Sequence, residues 1–375
     1  MKKQLAVAAG LALLSTSAFA TKARLQALGQ GGTAKGLQGS FFLDDSRNVF
    51  LNPASLNEMS NYVVTEWGTA NDAADSASAP HAEGGFFRDG GSINYGLYLG
   101  NEYNFNNSVK TTNNMQETDN NLDLFFAGNM GFDWGARISY SSSSNKPNGG
   151  IEVENDTLGL GLGINHGKVG AYANLLLKDE SAGSSSSAND KFEADLGLNL
   201  GVSYDHKNMT FYADYDKQGN ERTVSSAKTE VETTQINVGV ANKMAMNETS
   251  MMFVDFRYNS TETETKGNNT VKTSALPLTI GFETQANSWL ALRASVSQNI
   301  IVNDTETETV GGGTTEQTQD NTTNINAGAT LTFGKLTVDG VIGTTGQSRA
   351  ATTASESGVL ATDNLMTRVA VSYMF

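Results

Sequence analysis

The chain has 375 residues, no cysteine, and 40 acidic against 25 basic residues, which gives a formal net charge of −15. The lack of cysteine excludes disulfides and thiolate metal sites, and for so acidic a chain we expect no nucleic-acid partner. The apolar share is modest, at 38%, as in a barrel whose strands face water on one side and whose loops are polar.

The first twenty residues have the pattern of a secretory signal peptide. Two lysines precede an apolar run over residues 5–14, and Ala18-Phe19-Ala20 offers a small-x-small cleavage site. The apolar run is too short to span a membrane. We therefore predict that residues 1–20 are cleaved, that the mature chain begins at Thr21, and that the protein is exported.

Residues 21–60 form a second unit, which lacks the alternation seen later. A glycine-rich stretch is followed by an acidic Asp44-Asp45 step and by Asn52-Pro53-Ala54. Pro53 fixes a bend, and Asn52 can bond to its own backbone. The unit is too polar for lipid, yet its aromatic residues favour burial. We predict a plug inside a barrel, with a periplasmic segment as the alternative.

The same residues resemble the long-chain fatty-acid transporter (FadL-type) superfamily. Its members carry a Gly/Ala-rich amino-terminal segment, an Asp-Asp step and an Asn-Pro-Ala motif before the first strand. The resemblance is confined to this part of the chain. It implies that residues 21–60 lie in the lumen as a plug and that the protein transports hydrophobic compounds. The plug motif would consist of Asp44, Asp45, Asn52, Pro53 and Ala54.

From residue 61 onward, apolar residues alternate with small or polar ones, the period of a strand whose two faces meet different solvents. Tight turns and long polar segments alternate between these stretches, as expected for a barrel with surface loops at one rim and periplasmic turns at the other. The long segments are 101–118, 181–190, 261–270, 303–320 and 345–362. The predicted strands lie near 61–68, 81–89, 92–100, 119–130, 132–141, 153–166, 168–178, 192–205, 208–217, 230–243, 249–260, 272–284, 287–301, 320–333, 335–344 and 363–375.

We accordingly predict that residues 61–375 form an all-β, transmembrane, antiparallel up-and-down barrel of about 16 strands. The first three stretches are short, so 14 strands is the alternative. The last strand ends at Phe375. An aromatic carboxy-terminus of this kind resembles the assembly signal of outer-membrane barrels.

Only one phase of the alternation keeps the charged side chains out of lipid. The opposite phase would place several arginines in the bilayer, at roughly 2–4 kcal/mol each near its middle. The predicted lumen-facing charges are Asp133, Arg137, Asp214, Asp255, Arg257, Glu283, Arg293, Asp339 and Arg368. Many of their neighbours on this face are Gly, Ser, Asn and Thr, which predicts a wetted lumen. Alternatively, the charges only pair with one another, for example Asp255 with Arg257.

No group of residues points to catalysis. The three histidines are isolated from one another, and the glycine-rich stretches lack the strand and helix context of a phosphate loop. We predict no enzyme activity, no cofactor and no metal site.

The predicted function is passive diffusion of small hydrophilic solutes across the outer membrane of a Gram-negative bacterium. The alternatives are FadL-type transport of hydrophobic compounds and a non-conducting structural or surface-adhesion barrel. Expected partners are outer-membrane lipids and lipopolysaccharide, the barrel assembly machinery and small solutes. A homo-oligomer is also compatible with the sequence.

Overall fold

The structure, a computed structural model, describes residues 21–30, 37–68, 81–101, 104–146, 150–318, 323–343 and 368–375. The predicted signal peptide lies outside these ranges. Within them, no helix is long and apolar enough to cross a membrane.

One antiparallel sheet contains all the strands of the described chain. β8 and β9 occupy successive parts of one position beside β10, and β15 and β16 do the same beside β14. The strands are β1 Tyr62–Gly68, β2 His81–Arg88, β3 Asn94–Leu99, β4 Leu122–Asn129, β5 Asp133–Asn145, β6 Val153–His166, β7 Val169–Ala182, β8 Lys191–Ala194, β9 Gly197–His206, β10 Met209–Val224, β11 Ala227–Ala245, β12 Ser250–Thr265, β13 Asn269–Asn287, β14 Leu290–Thr309, β15 Thr314–Thr318, β16 Thr323–Phe333, β17 Leu336–Gly343 and β18 Arg368–Met374.

The sheet closes on itself because β1 pairs with both β2 and β18. The 18 strand segments therefore occupy 16 positions around a closed barrel. This confirms the predicted antiparallel 16-stranded barrel, and the 14-strand alternative is wrong. Because β1 and β18 pair with each other, the first and last strands leave no open edge between them, which is the condition for a sheet to lie in lipid.

Several strands run farther than their apolar alternation predicts. β12 extends to Thr265 and β13 begins at Asn269, so most of the predicted loop 261–270 is a hairpin. β14 likewise continues to Thr309 through the first part of the predicted loop 303–320. Both faces of these strand extensions carry polar residues, so hydrophobic periodicity could not reveal them. Their backbone ladders continue all the same, and the register places Lys272 opposite both Glu262 and Glu306, so unlike charges adjoin across these strands.

The outer face of the barrel carries large apolar side chains that no protein atom covers. Ile138 is 43% exposed, Val238 51% and Leu292 43%. Further exposed members are Phe126, Leu162, Ile164, Leu200, Val202, Tyr204, Phe211, Ile236, Phe256, Ile280, Phe282 and Val296. A closed barrel with such a belt is the architecture of outer-membrane proteins, and the belt faces lipid.

Residues 21–30 and 37–60, called the amino-terminal segment below, contain three short helices: α1 Lys22–Ala27, α2 Asn48–Leu51 and a 3₁₀ helix Pro53–Asn57. α1 contacts β14, β16, β17 and β18, whereas the 3₁₀ helix contacts β3 to β6. The segment therefore touches well-separated parts of the inner wall. A further helix, α3 Asn107–Thr112, lies in the connection between β3 and β4.

Two apolar clusters join this segment to the wall. The first centres on Phe50, whose ring meets Tyr98 and Phe125 edge-on, with centroids 4.9 and 5.2 Å apart. The second contains Phe42, which lies 5.2 Å from Phe253 between ring centroids. Each buried side chain of this size contributes roughly 1.5–3 kcal/mol, so the clusters favour burial of the segment against the wall.

The carboxy-terminal residue completes the closing seam, where the backbone N–H of Phe375 donates to the carbonyl of Asn61 (3.1 Å). Replacing Phe375 by Asp should lower the amount of folded barrel in the outer membrane, because a charge would stand at the seam. Heat-modifiable gel mobility measures this, with Phe375→Tyr as the aromatic control. Equal folded yield for the two variants would contradict the prediction.

Candidate functional site

A network of buried charges surrounds α1. The guanidinium of Arg24 donates to both oxygens of Glu283 from Nε (3.1 Å) and Nη2 (2.8 Å). Its Nη1 lies 3.2 Å from Asp45 Oδ2. Arg293 shares Glu283 and also pairs with Asp339 at 3.2 Å. Bidentate arginine–carboxylate contacts of this kind fix the relative orientation of the two side chains as well as neutralising their charges. They tie α1 to β13, β14 and β17.

A second part of the network lies at β1 and β2, where Glu66 and Glu83 face each other across the strands. Like charges in this position destabilise a sheet. Lys22 compensates with its Nζ 2.5 Å from Glu83, and Arg47 lies 3.5 Å from Glu66 and 3.7 Å from Glu83. Both cations come from the amino-terminal segment, so the segment neutralises charges that the wall cannot neutralise by itself.

Burial shifts the titration of this segment. It raises the pKa of the Asp45 carboxyl to about 7, against the opposing effects of Arg24 and of the Arg47 backbone N–H. Burial also lowers the pKa of the Lys22 ammonium, and the opposing effect of the neighbouring Glu83 carboxylate is smaller. The neighbouring Asp44 has an exposed side chain, and its backbone carbonyl accepts from the Arg24 guanidinium (2.8 Å). The two acidic residues therefore have different surroundings.

The Asn-Pro-Ala motif docks on glycines of the wall. Asn52 caps the 3₁₀ helix, as its Oδ1 accepts from the N–H of Ala54 (3.1 Å) and its Nδ2 donates to Asn165 Oδ1 (2.8 Å). A Cβ at Gly135 would come within 2.2 Å of the carbonyl carbon of Pro53. Only glycine therefore allows this approach of two backbones.

A chamber of about 130 Å³ lies between the amino-terminal segment, the connection between β3 and β4, and the wall. The connection is held over it by Lys110, which lies 2.5 Å from Asp179 between Nζ and Oδ1; burial lowers the pKa of this lysine, and Asp179 opposes the shift. The lining residues are Gln38, Phe50, Leu51, Asn104, Phe105, Thr118, Asn121, Arg137, Ser139, Thr157, Gly159, Asn174, Leu175, Leu176, Gly197, Leu198, Asn199, Asp216 and Gln218.

Three polar atoms of residues that line the chamber are buried without a hydrogen-bond partner. They are Arg137 Nε, Asn174 Oδ1 and Gln218 Oε1. Arg137 lies 3.9 Å from its nearest carboxylate, Asp123. Buried polar atoms are normally satisfied, so these three unpaired atoms mark an unusually polar part of the chamber wall.

The charged residues predicted to face the lumen have different hydrogen-bond partners in the structure. Asp133 accepts from Asn129 Nδ2 (2.8 Å) at the turn between β4 and β5. Asp214 accepts from Asn237 Nδ2 (2.5 Å) and Asp255 from the hydroxyl of Tyr212 (2.7 Å).

Besides Arg137 at the chamber, two predicted arginines lie outside the α1 network, and their surroundings differ. Arg368 donates from Nε to Gln26 Oε1 of α1 (2.8 Å). Arg257 lines a second cavity of about 50 Å³, and its Nε has no partner. Among the described residues no ion pair joins Arg257 to Asp255, so the pairing alternative does not hold for these two.

Sequence analysis missed the inward-facing aromatic rings. Tyr172, Tyr212 and Phe253 are buried, and each faces a glycine on the neighbouring strand. A Cβ on those glycines would come within 2.2–2.3 Å of the ring, at Gly201, Gly239 and Gly281. The inward glycines therefore make room for rings, which corrects their use as evidence for a wetted lumen.

In the part of the chain that the structure describes, no cluster of three or more His, Cys, Asp or Glu side chains could hold a metal ion.

No protein-family model and no curated protein sequence matches this chain. Among solved structures it is similar to a FadL homologue of Pseudomonas aeruginosa, at 10% identity over 93% of this chain and 98% of that one, with a TM-score of 0.39. It is also similar to the toluene transporter TodX of Pseudomonas putida, at 11% identity over 88% and 94%, with a TM-score of 0.37. A third is OmpT of Vibrio cholerae, at 10% identity over 84% and 95%, with a TM-score of 0.36. At such values no solute or activity transfers to this chain.

Proposed function

We propose that this protein is an outer-membrane channel for small hydrophilic solutes, closed in the present conformation by its amino-terminal segment acting as a plug. The observation that carries the proposal is the chamber between the segment and the β3–β4 connection. Amide and hydroxyl side chains such as Asn121, Ser139 and Asn199 line it, and three of its polar atoms lack partners. A hydrated solute with hydroxyl or amide groups would find hydrogen-bond partners among the amide and hydroxyl side chains of this lining.

Passage beyond the chamber then requires the plug to move. Phe50 and Leu51 of the segment line the chamber on one side, and Phe50 is 3% exposed within its cluster. A solute entering from the β3–β4 connection would therefore meet a packed apolar surface. Such a barrier is consistent with a gated channel rather than with a wide, permanently open pore.

A second candidate is transport of small hydrophobic compounds. Its supporting observation is the apolar part of the chamber lining, where Leu175 and Leu176 are both present. A molecule with one polar end and an apolar body would also fit this lining.

The test is solute flux into proteoliposomes, compared between two neighbouring substitutions. Asn199→Trp fills the chamber, whereas Leu200→Trp lies on the outer face, where Leu200 is 41% exposed. We expect pentose and hexose entry to fall severalfold in Asn199→Trp only, with heat-modifiable mobility preserved in both. Unchanged sugar entry with loss of uptake of a hydrophobic compound would favour the second candidate.

A further inference from the structure

The network around α1 contains more buried acid than base. Five carboxylates, each at most 8% exposed, belong to it: Asp45, Glu66, Glu83, Glu283 and Asp339. Within the ranges that the structure describes, ion pairs join these carboxylates to four cations: Lys22, Arg24, Arg47 and Arg293. A further arginine, Arg368, is less buried and donates from Nε to Gln26. Burying an uncompensated charge is strongly unfavourable, so the network calls for another cation.

The surplus lies around the first described residue. The hydroxyl of Thr21 donates to Asp339 Oδ2 (3.4 Å), and the next backbone N–H, that of Lys22, donates to Glu66 Oε2 (2.8 Å). Carboxylates of Asp339 and Glu66 therefore accept hydrogen bonds from the Thr21 side chain and from the backbone N–H that follows it. Glu83, which Lys22 binds through one oxygen, has its other oxygen buried without a partner.

We propose that these carboxylates form a binding site for a primary ammonium group, namely the amino-terminus of Thr21 that cleavage after Ala20 would create. The proposal rests on the predicted cleavage site. The freed ammonium would carry the fifth positive charge and three donors, and it would emerge between the carboxylates of Asp339 and Glu66. Charge-assisted hydrogen bonds of this kind are about twice as strong as neutral ones.

The consequence is an order of events. Before cleavage, position 21 carries a neutral amide, and the network keeps its surplus negative charge. After cleavage, the new ammonium neutralises that charge and secures α1 against the wall. Removal of the signal peptide would thus also stabilise the docked amino-terminal segment.

The test compares three forms of the protein refolded in detergent: one that begins at Thr21, one with Gly-Ser before Thr21, and one acetylated at the α-amino group. The readout is the rate of tryptic cleavage after Lys22 and Arg24 in barrels that all show folded gel mobility. We expect cleavage about tenfold faster in the extended and acetylated forms, since a hydrogen bond to a charged group is worth at least this factor. Equal rates in all three forms would overturn the proposal.

Two controls separate charge from bulk. Thr21→Ser keeps both the ammonium and the hydroxyl and should be cleaved as slowly as the parent. Glu83→Gln removes one carboxylate charge, so the difference between free and acetylated termini should shrink in that background; an undiminished difference would contradict the charge argument. Mass spectrometry of protein from outer membranes should find Thr21 first, and another terminus would also overturn the proposal. Proteolysis involves no solute, so these outcomes are independent of the transport proposal.

Discussion

Deleting residues 23–50 while retaining Asn52-Pro53-Ala54 should raise single-channel conductance severalfold in planar bilayers. The deletion removes most of α1 and α2, the segment's whole share of the second apolar cluster, and Val49 and Phe50 of the first. The barrel itself should persist, because β1 still pairs with β2 and β18 through the backbone. Water would then fill the space that the segment occupies.

The same deletion discriminates between the two transport proposals. If the protein admits hydrophilic solutes, sugar flux should rise together with conductance. If it transports hydrophobic compounds, their uptake should be abolished even though ion conductance rises. Unchanged conductance would mean that the segment is no plug.

A matched control locks the segment instead of removing it. The chain has no cysteine, so an introduced pair would form the only disulfide. Ala23 of α1 and Val341 of β17 belong to one buried cluster, which makes Ala23→Cys with Val341→Cys the suitable pair. The oxidised double variant should conduct no more than the parent, and reduction should restore parental behaviour.

Replacing Glu283 by Ala should release α1 from the wall. Glu283 is fully buried and receives donors from both Arg24 and Arg293. Its removal leaves two guanidinium groups without their shared carboxylate, and breaking a buried pair typically costs about 3–5 kcal/mol. We expect faster tryptic cleavage after Arg24 and longer open times in single-channel records. Glu283→Gln, which keeps acceptor and shape, should have a smaller effect.

The control for charge alone is Glu232→Ala. Glu232 pairs with Lys217 at 3.0 Å, but both side chains are about half exposed, at 51% and 46%. Exposed pairs contribute roughly 0–1 kcal/mol, so neither proteolysis nor gating should change. Equal effects of the Glu232 and Glu283 substitutions would show that the attachment of α1 to the wall does not depend on the burial of the ion pair.

The sequence by itself determined the barrel. Alternation of apolar and polar residues with a period of two predicted 16 strands, the number that the barrel has. The requirement that charges avoid lipid predicted that Arg293 and Asp339 point inward, and both residues are buried. This was predictable because which face a residue occupies depends only on its own strand. The polar extensions of β12 and β14 escaped the same criterion, since they stand beyond the apolar belt and alternate polar with polar.

Only the tertiary structure decided what the inward residues meet. Arg24 and Glu283 are separated by 259 positions, and no local pattern relates them. Tyr212 fits over Gly239 because the strand register places them opposite each other, not because either residue signals the other. The chamber likewise arises where the amino-terminal segment and the β3–β4 connection approach one wall. Contacts between distant segments depend on closure of the barrel and on strand register, which involve the whole chain. The alternation of apolar and polar residues depends only on the solvent that each face of a single strand meets.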